Sequence, residues 1–251
     1  MDVSFIHLFI IFITGVIASS FGTLVGGASM ITIPVLISLG LPPHTAIGTD
    51  RMGISGLALA GWYKFHEKGM IDYKIGVLIA VPTFIGSFLG ANIAFQIDKE
   101  VLKRVIAVIT IFLLAFVVLQ PRIGIEKAKR VITNREYLMG IVLSFLVGVY
   151  GGFYGPMSAT FMSYVLIFIF KQTFLESAGT VKISMFFMTL IAAIVFAMKG
   201  ALDFAFGTSM FIGCGVGSFL GAHYSDKIGN IWTKRLFVAI VLIMAIKLLI
   251  S

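Results

Sequence analysis

Phe21-Gly22-Thr23-Leu24-Val25-Gly26-Gly27-Ala28-Ser29 opens a stretch that runs on through Pro34 and Pro42-Pro43 to Gly48-Thr49-Asp50-Arg51. It reads as a glycine-rich break, a short apolar segment, a double-proline stop and a charged pair inside the next apolar run. A plain membrane span needs none of these. A binding site built from broken helices uses all of them, because glycine lets backbones approach closely and proline frees carbonyls.

The rest of the chain fits a membrane setting. Of its 251 residues 59% are hydrophobic and 12% charged, with mean hydropathy +1.06; soluble chains carry about 25% charged residues. The apolar residues form long continuous runs, each near the ~20 residues that span a bilayer as a helix. Strict alternation, the mark of a membrane β-barrel, is absent. The fold class expected is therefore an all-α polytopic membrane protein, with the lipid bilayer as its first partner. The net charge of +8 sits mostly between the runs, where membrane orientation accounts for it, so nucleic acid is not an expected partner. Cys214 stands alone in an apolar run and is read as packing. Asp2, with no Lys or Arg before the first run, gives no cleavable signal peptide to argue for.

In order, the apolar segments are Ile6–Ser20, the short Met30–Leu41, a helix from Pro43 to about Phe65, Tyr73–Phe95 and Leu102–Leu119. The second half repeats the scheme: Leu138–Gly148, a break at Gly151, Gly152 and Gly155, the short Ala159–Phe170, then Phe174–Met198, Phe204–His223 and Trp232–Ile250. The short segments are too brief for the ~30 Å hydrocarbon core, so each is a half-helix or a span completed by the glycine turn. Gly86-Ser87-Phe88-Leu89-Gly90-Ala91 recurs as Gly217-Ser218-Phe219-Leu220-Gly221-Ala222, an offset of 131 (217 − 86). That offset also pairs Gly48-Thr49 with Gly179-Thr180 and Arg51 with Lys182. The glycine breaks align at 129, Gly26 with Gly155 and Ser29 with Ser158. The chain is a duplication, with an N-terminal membrane repeat over 1–120, a basic cytoplasmic linker over 121–136 and a C-terminal repeat over 137–251.

Five segments per half make the second copy inverted. With the linker inside, the loop 66–74, Lys227, Lys234 and Arg235 fall inside too, and both termini fall outside. Lys99, Lys103 and Arg104 fall outside and are the awkward group.

Charges within apolar runs are functional candidates. Arg51 lies roughly 12 Å along its helix from Pro43 at ~1.5 Å per residue, and Lys182 roughly 13 Å from the capping box Thr173–Glu176. Helices that start after Gly26-Gly27 and after Gly155-Pro156 aim free N–H groups and positive dipole ends at the gap. Ser29, Ser158, Thr49 and Thr180 add hydroxyl donors. Such a site suits a small oxyanion and not a cation. Asp50, the acidic residue deep in a run, is the candidate proton relay. Gly86, Gly90, Gly217 and Gly221 are read as packing residues. His44 and His223 lack metal-ligand spacing, and neither metal nor cofactor is expected.

Phe21-Gly22-Thr23-Leu24-Val25-Gly26-Gly27 through Pro34, Ala46 to Arg51, and Ala178-Gly179-Thr180-Val181-Lys182 resemble the sulfite exporter TauE/SafE family, and the resemblance covers essentially the whole chain. It implies a secondary transporter, commonly an exporter, of sulfite, sulfonates or related sulfur oxyanions across the cytoplasmic membrane. An anion channel or a membrane-embedded scaffold subunit is the alternative reading, and a homodimer stays open. No enzyme is expected, since no catalytic triad, zinc-ligand or paired-carboxylate arrangement is present. No phosphate-binding loop is present either, so energy coupling falls to ions or to the substrate gradient.

Overall fold

A computed structural model describes residues 5–94, 132–235 and 238. Its helices are α1 (Phe5–Val25), α2 (Ser29–Ser38), α3 (Pro43–Glu67), α4 (Tyr73–Ile93), α5 (Asn134–Phe153), α6 (Ser158–Phe168), α7 (Phe174–Met198) and α8 (Phe204–His223). Residues 225–235 are helical as well. No strand occurs among the described residues. The expected span Leu102–Leu119, most of the linker and most of the last span lie outside them, as do Lys99, Lys103 and Arg104.

Five helices, α1, α4, α5, α7 and α8, are long and apolar enough to cross a bilayer. The protein is a multi-pass helical membrane protein. Many large apolar side chains face outward, with Phe5, Phe9 and Ile17 on α1 and Val77, Val81 and Ile85 on α4 all exposed. Inside, small and polar residues pack beside buried large apolar ones, Phe65, Phe174, Phe196 and Phe206 among them. Lipid accepts Phe and Ile as readily as the interior does, so close packing and hydrogen bonds hold the helices together.

The sequence expectation for the short segments holds: α2 has 10 residues and α6 has 11, about 15 Å each at ~1.5 Å per residue. Their neighbours are longer than the sequence indicates. α1 runs past Gly22 to Val25, and α5 runs past Gly151 and Gly152 to Phe153. These glycines are helical because they serve contact: a Cβ on Gly152 would strike the Ser87 carbonyl and one on Gly22 would strike Ala28. The chain turns only where φ is positive, at Gly26 and Gly27 (both 83°) and at Gly155 (92°), with Met157 also left-handed at 67°.

The halves interlock. α1 packs along α8, and its repeat mate α5 packs along α4; α3 packs on α8 as α7 packs on α4; α3 and α7 also pack on each other. The pattern is unchanged when the halves are exchanged. The Gly-Ser-Phe-Leu-Gly-Ala copies make the first two contacts. Gly86 and Gly90 lie against the carbonyls of Phe145 and Val149, and Gly217 and Gly221 against those of Val16 and Ser20. α3 and α7 run antiparallel: Gly48 near the start of α3 meets Phe196 and Ala201 beyond the middle and end of α7, while Gly179 near the start of α7 meets Phe65 and Met70 at the end of α3.

Candidate functional site

The helix starts differ in how they are capped; α3, entered through Pro42, has no side-chain cap and lies apart from the breaks. α4, α5, α7 and α8 are capped by their own side chains. Asp72 accepts from Ile75 N at 3.1 Å and Asp203 from Ala205 N at 3.0 Å, while Thr133–Glu136 and the expected Thr173–Glu176 form reciprocal capping boxes. α2 and α6 start at Ala28 and Met157 with no side-chain cap. A helix start leaves several N–H groups without an intrahelical partner and carries positive partial charge. At α2 the Met30 and Ile31 N–H groups turn back to the Gly27 and Ala28 carbonyls, and at α6 the Ser158 N–H turns back to the Gly155 carbonyl; the partial charge and the remaining first-turn N–H groups are left for something else.

Both starts open on one small, partly open cavity of about 20 Å³. Gly22, Gly26, Gly27 and Ser29 line it from the first half, and Gly155 and Ser158 from the second. Ile54 and Leu57 of α3 and Met185 of α7 supply apolar wall. Five of the residues singled out in the sequence, Gly26, Gly27, Ser29, Gly155 and Ser158, therefore come together. The Ser158 hydroxyl bonds no described residue.

Behind Ser29 lies a buried charge pair. Asp50 and Arg51 are 0% and 1% exposed and bond directly through Oδ2 and Nη2. Asp50 Oδ2 also accepts from Ser29 Oγ at 2.8 Å, and Oδ1 accepts from Thr32 Oγ1 at 2.5 Å. Arg51 Nη2 donates to Ser29 Oγ at 3.2 Å and Nη1 to the Gly151 carbonyl at 3.4 Å. The guanidinium fills the space where a Cβ on Gly155 would be. Of the three Arg51 guanidinium nitrogens, only Nε has no partner among the described residues. A buried pair needs this density of hydrogen bonds, since desolvation otherwise outweighs the attraction.

Lys182 is 1% exposed but does not line the cavity. Its Nζ donates to the Thr23 carbonyl at 2.6 Å, beside Gly61. Thr23 and Gly151 each lie two residues before the last residue of their helix. Each deep cation thus reaches across to the negative end of the other half's first helix. Val181 stands where Asp50 stands in the first half, so no carboxylate pairs with Lys182 among the described residues.

Thr49 and Thr180 also sit away from the cavity. Thr49 Oγ1 accepts from Asp203 N and Thr180 Oγ1 from Asp72 N, both at 3.0 Å. Each threonine ties its α3 or α7 to the start of the other half's fourth helix. The shared offset of Asp72 and Asp203 carried the signal for this. Sequence reasoning missed two further residues: Thr32, which holds Asp50, and Thr160, whose hydroxyl donates to the Val25 carbonyl at 2.8 Å across the break.

Comparison with known proteins finds relatives over nearly the whole chain. The family model for the sulfite exporter TauE/SafE matches residues 11–248. A probable membrane transporter protein of Haemophilus influenzae is 28% identical over 246 residues, covering 98% of this chain and 94% of the relative. YdhB of Bacillus subtilis, a probable membrane transporter protein, is 26% identical over 230 residues, covering 90% and 92%. YfcA of Escherichia coli K12, of the same description, is 22% identical over 247 residues, covering 98% and 91%. No solved structure matches. With a family match over nearly its whole length and helices apolar enough to span a bilayer, the chain belongs to the sulfite exporter TauE/SafE family of membrane transporters.

Proposed function

We propose that the protein is a secondary transporter, working as an exporter in the cytoplasmic membrane, for sulfite or a related small sulfur oxyanion or sulfonate. The cavity between the breaks is the substrate site. The observation that carries this reading is the meeting of two uncapped helix starts in one cavity. Backbone N–H groups of α2 and α6 bind the anion, Ser29 and Ser158 add hydroxyls, and Gly26, Gly27 and Gly155 keep the walls backbone-close. Arg51 stands directly behind and supplies charge. Lys182 acts at longer range, adding positive potential without touching the anion.

Alternating access follows from the duplication. We read the repeats, 1–120 and 137–251, as inverted in the membrane, with the linker 121–136 in the cytoplasm and both termini outside. The antiparallel course of α3 and α7 supports this. Rocking of one repeat against the other exposes the cavity to each side in turn.

The test is flux into proteoliposomes of sulfite, sulfate, thiosulfate and an alkanesulfonate, with and without a pH gradient. Saturable flux of at least one of these at carrier rates is expected. Currents far above carrier rates in a bilayer recording assign a channel. No flux of any anion, with a stable partner retained on purification, assigns a scaffold subunit.

A further inference from the structure

In this arrangement the donors that an anion most needs are already engaged, and one carboxylate engages them. The Ser29 hydroxyl gives its hydrogen to Asp50 Oδ2 and accepts from Arg51 Nη2. Arg51 is held by Asp50, Ser29 and the Gly151 carbonyl. While Asp50 is ionised, a second anion in the cavity meets a neutralised guanidinium and a hydroxyl turned away from it. It also adds a second negative charge beside a buried one, which desolvation and like-charge repulsion both oppose.

We propose that Asp50 takes up one proton when an anion binds, so that anion and proton occupy the site together. This rests on the anion-transporter reading above and names its coupling ion. The change is one of proton position only. A proton taken up from the bulk solution (hydronium or buffer acid) joins Asp50 Oδ2, and the new carboxyl O–H donates to Ser29 Oγ. The Ser29 hydroxyl hydrogen then swings toward the cavity. Arg51, released from its counter-charge, turns Nη2 and the unpartnered Nε to the anion. Thr32 keeps its bond to Oδ1 and fixes the carboxyl in place. Apart from the O–H bond at Asp50 no covalent bond is made or broken; the Arg51 hydrogen bonds to Asp50 and Ser29 give way to ones with the anion, and the charge of Asp50 is replaced by that of the anion.

The groups that face the pair are few among the described residues. From α2 there are Ser29 and Thr32, from α3 Arg51 itself, from α5 and the break after it Tyr150 and Tyr154, and from α8 Cys214. Tyr150 is occupied with the Pro156 carbonyl at 2.5 Å. None is a second carboxylate, and the other deep ionisable group, Lys182, is held on the Thr23 carbonyl away from this pair. The second half has no equivalent, since Val181 replaces the aspartate. The coupling therefore belongs to one repeat only.

The experiment measures anion affinity of the purified full chain between pH 5 and 8 by thermal shift or calorimetry. Sulfate, thiosulfate and an alkanesulfonate serve as probes because their charge is fixed in this range. The wild type is expected to bind more tightly as pH falls, by up to about tenfold per pH unit, and to take up about one proton per anion in weakly buffered solution. Asp50→Asn is expected to bind with no such dependence and no proton uptake. Thr32→Val removes a bond that favours the carboxylate, so the pH at which affinity changes is expected to rise. This variant keeps the test alive should Asp50→Asn fail to fold, and Lys182, which Thr32 does not touch, would not respond to it. Wild-type binding that is flat with pH and takes up no proton overturns the proposal while the transporter reading stands. A dependence that survives in Asp50→Asn, or is unmoved in Thr32→Val, overturns it as well. No binding or flux of any anion overturns both readings together.

Discussion

Gly155→Ala is the sharpest probe of how the break holds Arg51. Two effects add at this position. The alanine must adopt φ 92°, in the left-handed region that costs an L-residue about 1–2 kcal/mol. Its Cβ also lands on the Arg51 guanidinium, which must leave Asp50, Ser29 and the Gly151 carbonyl. Disrupting a buried ion pair costs about 3–5 kcal/mol, so the total is about 4–7 kcal/mol. Gly69→Ala is the matched control. Its φ is also positive, at 63°, and a Cβ there meets nothing within 4 Å, so only the backbone cost of about 1–2 kcal/mol applies. Unfolding of both variants in mixed micelles by denaturing detergent, with and without anion, separates the two effects. Gly155→Ala is expected to lose the larger amount together with its stabilisation by anions. Equal losses in the two variants, with anion stabilisation intact in Gly155→Ala, would refute the placement of Arg51 against the break.

Three further outcomes are expected. Ser158→Ala weakens anion affinity about tenfold, the value of one hydrogen bond of ~1.4 kcal/mol, and leaves stability unchanged; Ser29→Ala, which disturbs the Asp50–Arg51 pair, lowers both. Thr49→Val and Thr180→Val each lower stability by about 1–2 kcal/mol through an unsatisfied aspartate N–H, by similar amounts in the two halves, with anion affinity unchanged in a binding titration. Gly90→Ala and Gly221→Ala each force helices apart at the Val149 and Ser20 carbonyls and cost about 1–3 kcal/mol, measured by the same unfolding assay.

Much of the fold was legible because duplication leaves a record in the sequence. The matched glycines at 86, 90, 217 and 221 signalled packing, and they pack. Thr173 and Glu176 signalled a helix start, and α7 starts there. The positive-φ glycines marked the turns, and they bring Ser29 and Ser158 to one cavity. The extra length of α1 and α5 was not legible, because a glycine in an apolar run looks the same whether it ends a helix or admits a neighbour. The partners of Thr49, Thr180 and Lys182 were hidden for a different reason. They lie 154, 108 and 159 residues away, and a single span's pattern reveals depth and not which neighbour it meets. Lys182 went to a carbonyl rather than to the cavity because a helix end offers negative potential that its own half, lacking an aspartate at 181, does not.

The pairing of α1 with α8 and of α4 with α5 has a consequence for biogenesis. The first helix made finds its lasting neighbour only when nearly the whole polypeptide has been synthesised, so the early segments must wait in lipid as loosely associated rods. Contacts so distant in sequence slow assembly. A nascent chain stalled midway has no finished unit to fall back on, and either fragment alone is a natural target for membrane quality-control proteases.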